Sequence, residues 1–324
     1  MNRTARLVFA FSVSLAGAAH AANDGSYPER TVRILVGFPP GGPPDFLARE
    51  FAQKFSAASG KPVIVENLTG AGGNRATNSV AKAAPDGYTL AMTGSPSIVI
   101  SPALEKLPYN PITDLVPISE LVITPIILVV PSDLPVKSVQ ELLALARSRP
   151  GQLTFGSAGA STPGHIAGEL LKSISQIDIR HVPYKGIPPL LPDLLSGRIS
   201  MSFTNISAVL PLLREGKLRA LAVTSSHRLA FTPDIPTLAE SGFPGFDISP
   251  WVGLMAPAKT SPKIIDALYK EIMVVFKKSD EIKRVQGLAM EMVVNSPREF
   301  SMNVAKELDQ WAKLVQQAGI KSNE

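Results

Sequence analysis

The chain of 324 residues is 45% hydrophobic, 18% charged and 6% aromatic, with a formal net charge of +5. That length and apolar content allow one large domain or two ordinary lobes with substantial cores. A weak positive excess without any Lys/Arg run argues against nucleic acid as a partner. The absence of cysteine excludes disulfides, thiol nucleophiles, cysteine metal sites and a lipid-anchored cysteine.

In chain order, Arg3 and Arg6 precede an apolar run from Leu7 to Ala16, and Ala19-His20-Ala21 places small residues where a signal peptidase reads. This is the layout of a cleaved secretory leader, residues 1–21, and the run is too short to span a bilayer. No further apolar stretch of about 18 residues follows, so the expectation is a released, soluble mature chain starting near Ala22. Thr31 to Phe38 reads as a buried strand that meets Pro39-Pro40-Gly41-Gly42-Pro43-Pro44. Helical spacing follows from Asp45 to Ser59 and stops at Gly60. Val63 to Glu66 is a second strand, followed by the turn Thr69 to Gly73 and a helix through Ala84. Tyr88 to Met92 is a third strand. This alternation indicates α/β layering with parallel strands.

The proline-bounded stretch Ile123 to Pro131 ends the first unit, and the alternation restarts. Helices are expected over Ser138 to Ser148, Pro163 to Ser173 and Ile187 to Ser196. Strands are expected over Leu153 to Phe155, Ile179 to Val182, Ile199 to Phe203 and Leu218 to Thr224. Pro233 to Phe246 reads as loop and short helix, Trp251 to Ala256 as another strand, and Ser261 onward as three helices, the last from Pro297 to Ala318. The second unit is thus inserted between the first and the C-terminal helices. That predicts two lobes joined by two chain crossings, near Thr124 and Trp251: residues 22–124 and 252–324 in one, 125–251 in the other. A cleft between such lobes is a natural small-molecule site and hinge. A single continuous doubly wound sheet is the competing architecture, and the broken alternation over residues 104–131 counts against it.

Catalytic signatures mostly fail. Ser157 has Gly156 and Gly159 nearby but at the wrong offsets for a nucleophile elbow, and no Walker-type loop occurs. Gly70-Ala71-Gly72-Gly73-Asn74-Arg75 starts like a dinucleotide fingerprint but has Arg75 where the third glycine belongs, so it reads as an ordinary strand-to-helix turn. His165 and Glu169, four apart, could share a helix face as metal ligands do, but a third ligand is not evident. His181 reads as structural and His227 as a solvated loop residue. Anion binding fits better. Gly156 to Gly164 joins a strand to a helix with small residues, hydroxyls on Ser157, Ser161 and Thr162, and a helix N-terminus that favours a carboxylate or phosphate. Gly41-Gly42 occupies the equivalent place in the first lobe, and Thr93-Gly94-Ser95 follows its third strand. In doubly wound sheets such loops gather at the carboxyl ends of the strands; the plainer reading is helix capping.

At these loops the chain resembles a known family. Phe38-Pro39-Pro40-Gly41-Gly42 with Asp45, Val65-Glu66-Asn67 with Gly70 to Asn74, Pro85-Asp86-Gly87-Tyr88, Ser157-Ala158-Gly159 through Pro163-Gly164-His165, and His181-Val182-Pro183-Tyr184-Lys185-Gly186 are similar to the Bug family. These are the extracytoplasmic solute receptors of tripartite tricarboxylate transporters. Gly216 to Ala222, Pro236 to Gly242, and Trp251 with Ala256-Pro257 extend the similarity over nearly the whole expected mature chain. The resemblance implies a type II-like two-lobe periplasmic-binding-protein fold, two doubly wound sheets joined by two crossings, closing over a carboxylated metabolite. It implies first-lobe ligand contacts at Phe38, Gly41, Gly42, Asp45 and Ser95, and second-lobe contacts at Ser157, Gly159, Ser161, His165 and Asn205.

Two departures bear on the ligand. Pro43-Pro44 stand where the family has small hydroxyl residues, removing two N–H groups and two hydroxyls. The strand ending at Asn205 carries Ser200 and Thr204 where acids often occur, so an amino-acid ligand loses ground. The resulting expectation is a non-enzymatic, monomeric periplasmic receptor without cofactor or metal, which passes a small organic carboxylate to membrane permease subunits. A receptor feeding a sensor kinase is an alternative. So is a secreted α/β hydrolase, motivated by Ser157, Ser161 and His165 near one loop.

Overall fold

The computed structural model describes residues 27–160 and 162–317. The expected leader and Ser161 lie outside the described residues. The first unit runs β1 (Val32–Val36), α1 (Pro43–Ser59), β2 (Val63–Asn67), a 3-10 turn at Ala71–Gly73, α2 (Asn74–Ala81), β3 (Thr89–Gly94), a π-helical turn at Pro96–Ile100, α3 (Ser101–Leu104) and β4 (Leu115–Ile123). The second contains β5 (Ile126–Pro131), α4 (Val139–Ser148), β6 (Thr154–Ser157), α5 (Pro163–Ser175), β7 (Arg180–Pro183), α6 (Ile187–Leu195), β8 (Met201–Asn205), α7 (Ile206–Arg214) and β9 (Leu218–Val223). The chain then returns through β10 (Trp251–Pro257), α8 (Pro262–Phe276), α9 (Ser279–Gly287), β11 (Glu291–Met292) and α10 (Pro297–Gln317).

Two sheets result, in the orders β11-β4-β10-β3-β1-β2 and β7-β6-β8-β5-β9. Strand β1 is buried on both sides except at Arg33, as expected of an interior strand covered by helices. Both sheets are mixed rather than wholly parallel. Strand β10 runs antiparallel to β3 and β4, and β5 antiparallel to β8 and β9. The reason is topological: β5 and β10 are the strands that leave the junction into each sheet, whereas their neighbours end there. Trp251 pairs with Ile123 and Val252 with Gly94, so β10 begins where β3 and β4 finish. Likewise Ile126 pairs with Asn205 and Ile127 with Val223. The carboxyl edges of both sheets therefore face the same junction.

The two passages between the sheets are bonded to each other. The Thr124 N–H donates to the Pro250 carbonyl at 2.6 Å, and the Thr124 hydroxyl donates to the same oxygen at 3.0 Å. Ile123 to Pro131 is thus not the end of the first unit: Ile123 closes β4, Thr124-Pro125 crosses over, and the rest is the central strand β5 of the second sheet. Strand β4 and helix α7 were not expected from the sequence, and Pro233 to Phe246 forms turns without a helix.

One buried cluster packs α1 and α8 on the first sheet through Phe51, Phe55 and Phe276. A second runs along the opposite flank and joins both sheets: Ala76 and Val80 of α2, Phe300 and Trp311 of α10, and Ile166 and Leu170 of α5 belong to it. A third fills the α6/α7 face of the second sheet. Helix α10 therefore braces the junction, and Trp251, the first residue of β10, donates its indole N–H to Glu307 on that helix at 2.9 Å. Burial, with Glu120 and Asp247 nearby, pushes the Glu307 carboxyl up from 4.5 to about 7, against the opposing indole bonds.

Folding thus takes up a proton at Glu307. Its contribution to stability falls as pH rises from about 4.5 to about 7 and is level above that. Urea unfolding of wild type and Glu307→Gln across this window should show a shallower decline in the variant; parallel curves would contradict the assignment.

Candidate functional site

At the first-lobe edge the loop after β1 is fixed by one carboxylate. Asp45, in the first turn of α1, accepts from the Gly41 N–H at 2.9 Å, from Arg49 Nε and Nη2 at 2.9 Å each, and from Asn67 Nδ2 at 2.8 Å. Asn67 also donates to the Phe38 carbonyl at 3.1 Å, so it ties the two ends of the loop together. Burial raises the Asp45 pKa, but the bonds from Arg49, Gly41 and Asn67 outweigh it and hold the group at about 2. Asp45 is consequently a brace turned into the protein, with both oxygens occupied. Ser95 is also turned inward, its hydroxyl accepting from the Trp251 N–H at 3.4 Å. Phe38 and Gly42 are half-buried and Gly41 is exposed.

The β2–α2 turn packs against this loop. A Cβ on Gly37 would lie 2.6 Å from Gly73 Cα, and one on Gly73 would lie 3.2 Å from the Phe38 ring, so the two turns touch almost backbone to backbone. Behind them the hydroxyls of Thr77, Thr93 and Ser97 form a buried cluster, with 2.7 Å between Thr93 and Ser97. Asn67 and this cluster stabilise the edge but were not among the sequence candidates. Asn67 was visible only as part of a motif, and the hydroxyls are distant in sequence.

At the second-lobe edge Ser157 is fully buried. Its hydroxyl donates to the Gly159 carbonyl at 2.9 Å and lies 2.7 Å from His181 Nε2. The Thr162 hydroxyl caps α5 by accepting from the His165 N–H, and donates to the same Gly159 carbonyl at 2.8 Å. Gly159 has φ +140, which an L side chain rarely adopts. Gly164 meets a different demand: a Cβ there would lie 2.2 Å from the Phe203 carbonyl, so α5 starts in close contact with β8.

His181 is the central member of a ring stack, 4.8 Å from Phe155 and 4.1 Å from His165 between centroids. Burial lowers both imidazole pKa values, and with His165 and Lys172 adding to the effect His181 falls to about 4. Glu169, the other half of the possible metal pair, is bridged to Lys172 at 3.3 Å. Asn205 ends β8, half-buried, where Ile206 N–H donates to the Pro125 carbonyl of the crossing at 3.3 Å. His227 is not merely solvated: its Nε2 lies 3.0 Å from Glu291 of the other sheet.

The structure therefore brings Phe38, Gly41 and Gly42 to one edge and Gly159, Thr162, His165 and Asn205 to the facing edge, with Asp45, Ser95 and Ser157 supporting from within. Surface concavities of about 480 Å³ over Pro102–Asp114 and about 390 Å³ beside Leu213 and Arg219 are lined by none of these residues. Among the described residues no helix is long and apolar enough to cross a membrane, and no three His, Cys, Asp or Glu side chains are grouped to hold a metal.

Residues 47–320 match the family model of the tripartite tricarboxylate transporter family receptor. The chain belongs to that family. It is 36% identical to Protein BugT of Bordetella pertussis over 324 residues, 99% of each chain. An R. palustris protein solved with adipate is 33% identical with a TM-score of 0.81, the match covering 91% of this chain and 99% of that one. MatC from Rhodopseudomonas palustris with bound malate is 32% identical with a TM-score of 0.76, covering 89% and 100%.

Because the folded pKa of His181 lies below its ordinary 6.5, the unfolded chain binds that proton first. Its stabilising contribution is present above about 6.5 and is lost as pH falls towards about 4. Imidazole NMR resonances of the folded protein should place the His181 titration near pH 4, and an ordinary midpoint would contradict the buried stack.

Proposed function

We propose that the protein is a periplasmic solute receptor that captures a small organic carboxylate between its lobes and delivers it to membrane permease subunits. The observation that carries this reading is the meeting of both carboxyl edges at the bonded double crossing, within a chain of the transporter-receptor family. Binding sites in α/β sheets form at such edges. Two thin passages, Thr124-Pro125 and Pro250-Trp251, let the lobes rotate about the junction, with residues 22–124 and 252–324 moving against 125–251.

On closure, water leaves the cleft and the carboxylate exchanges hydration for amides and hydroxyls. The start of α5 contributes its helix dipole, the Thr162 hydroxyl being engaged by the His165 N–H and the Gly159 carbonyl. In this reading Phe38, Gly41 and Gly42 meet the ligand from the first lobe, and Gly159, Ser161, His165 and Asn205 from the second. Ser157 and Asp45 hold the loops, and no covalent chemistry takes place. A serine hydrolase is disfavoured because Ser157 is inaccessible and its hydroxyl is directed into its own loop. The leader, cleaved near Ala21/Ala22, would export a monomeric receptor.

Thermal unfolding with mono-, di- and tricarboxylates and aromatic acids tests this. A true ligand at 100 times its Kd should add about 2.7 kcal/mol of stability. Stabilisation by none of these acids, with stabilisation by a neutral sugar or an amine, would overturn the carboxylate reading.

A further inference from the structure

The first-lobe edge offers a ligand anion few donors. Pro43 and Pro44 occupy the first two positions of α1 and have no N–H. The Gly41 N–H is committed to Asp45. Several cations of this lobe are paired within it: Arg49 with Asp45 beside the loop, and, further off, Arg33 with Glu66, Arg30 with Asp86, and Arg284 and Lys54 with Glu50.

Arg75 stands apart by its place beside the loops of the carboxyl edge. It is the second residue of α2, is exposed, and its guanidinium takes part in none of these ion pairs among the described residues. The turn that carries it is wedged between the two first-lobe exits. A Cβ on Gly73 would lie 3.2 Å from Phe38 on one side and 3.4 Å from Ser97 Oγ on the other, and one on Gly72 would lie 4.0 Å from Pro96. The Arg75 stem folds back over Gly70, its Cδ 3.8 Å from where a Cβ would stand. Helix α2 also lies on the same flank as α5, since Ala76, Val80, Ile166 and Leu170 share one buried cluster. Both helices start at the facing edges, which sets Arg75 on the first-lobe side of the cleft and the Thr162-capped turn on the other.

We propose, resting on the receptor reading above, that Arg75 is the specificity-determining cation of the first lobe and selects an extended dicarboxylate, one end on the second-lobe loop and the other on its guanidinium. A planar guanidinium can hold a carboxylate through two parallel bonds, which supplies direction as well as charge. A compact diacid held on the second lobe would leave its other charge short of Arg75, against the proline start of α1. A monoacid of the same length would leave the guanidinium in water and gain nothing from it.

The test is calorimetry with adipate and hexanoate, matched in length, on wild type, Arg75→Gln and Arg75→Lys. Unchanged apo melting temperatures would show that the exposed substitutions leave the fold intact. Wild type should prefer adipate, Arg75→Gln should lose that preference at least tenfold with hexanoate unaffected, and Arg75→Lys should retain part of it. An adipate preference that survives in Arg75→Gln overturns the proposal. So does an equal loss for both acids carried by slower association, the mark of long-range steering. If wild type binds neither acid but binds citrate or an aromatic acid, the receptor reading stands and the role of Arg75 falls. If no carboxylate binds, the receptor reading falls with it.

Discussion

Everything at the candidate site depends on one shared acceptor. The Pro250 carbonyl takes both the N–H and the hydroxyl of Thr124, so the two chain passages between the sheets run as a bonded pair. Strand register does the rest. Because β5 and β10 start at this point and their neighbours end at it, every strand-to-helix loop of interest is delivered to one junction. Two passages bonded in this way can bend about a line, as the proposed closure requires, yet resist sliding that would misalign the loops.

Each lobe stiffens its own edge by a different means. The first uses charge: one buried carboxylate gathers an amide, a guanidinium and an asparagine, and so turns a proline- and glycine-rich loop into a fixed shape. The second uses neutral groups: a buried serine, a stacked pair of uncharged imidazoles and a threonine cap hold a loop whose chemistry is amide and hydroxyl. Neither arrangement presents an unpaired charge at the centre of the junction. Selectivity for charge is the role the proposal above assigns to Arg75.

Much of the fold was legible in the sequence because local pattern determines it. Runs such as Thr31 to Phe38 and Leu218 to Thr224 are largely buried, apart from Arg33 in the first and half-buried Arg219 and Ala220 in the second, and helices such as α5 announce themselves by a Thr-Pro start and apolar spacing. Strand β4 escaped because Pro117, Ser119 and Glu120 interrupt its apolar run; Glu120 is tolerated there only through Asn295 and Asn303, far away in sequence. Helix α7 escaped because it carries Pro211 and is apolar nearly all round. At the site, the glycine and hydroxyl loops could be read from composition. That Asp45 faces inward, that Asn67 ties the loop, and that His181 stacks between Phe155 and His165 could not, because each rests on a partner brought in by the tertiary fold.

The central claim is that the two edges approach when ligand binds. The chain has no native cysteine, so spin labels at Ser79→Cys and Lys185→Cys, both exposed positions, report one distance between the lobes. Pulsed electron-spin measurements should show that distance shorten and its distribution narrow once a stabilising carboxylate saturates the protein. An unchanged distribution at a ligand concentration where calorimetry shows full occupancy would contradict hinge closure as the basis of capture.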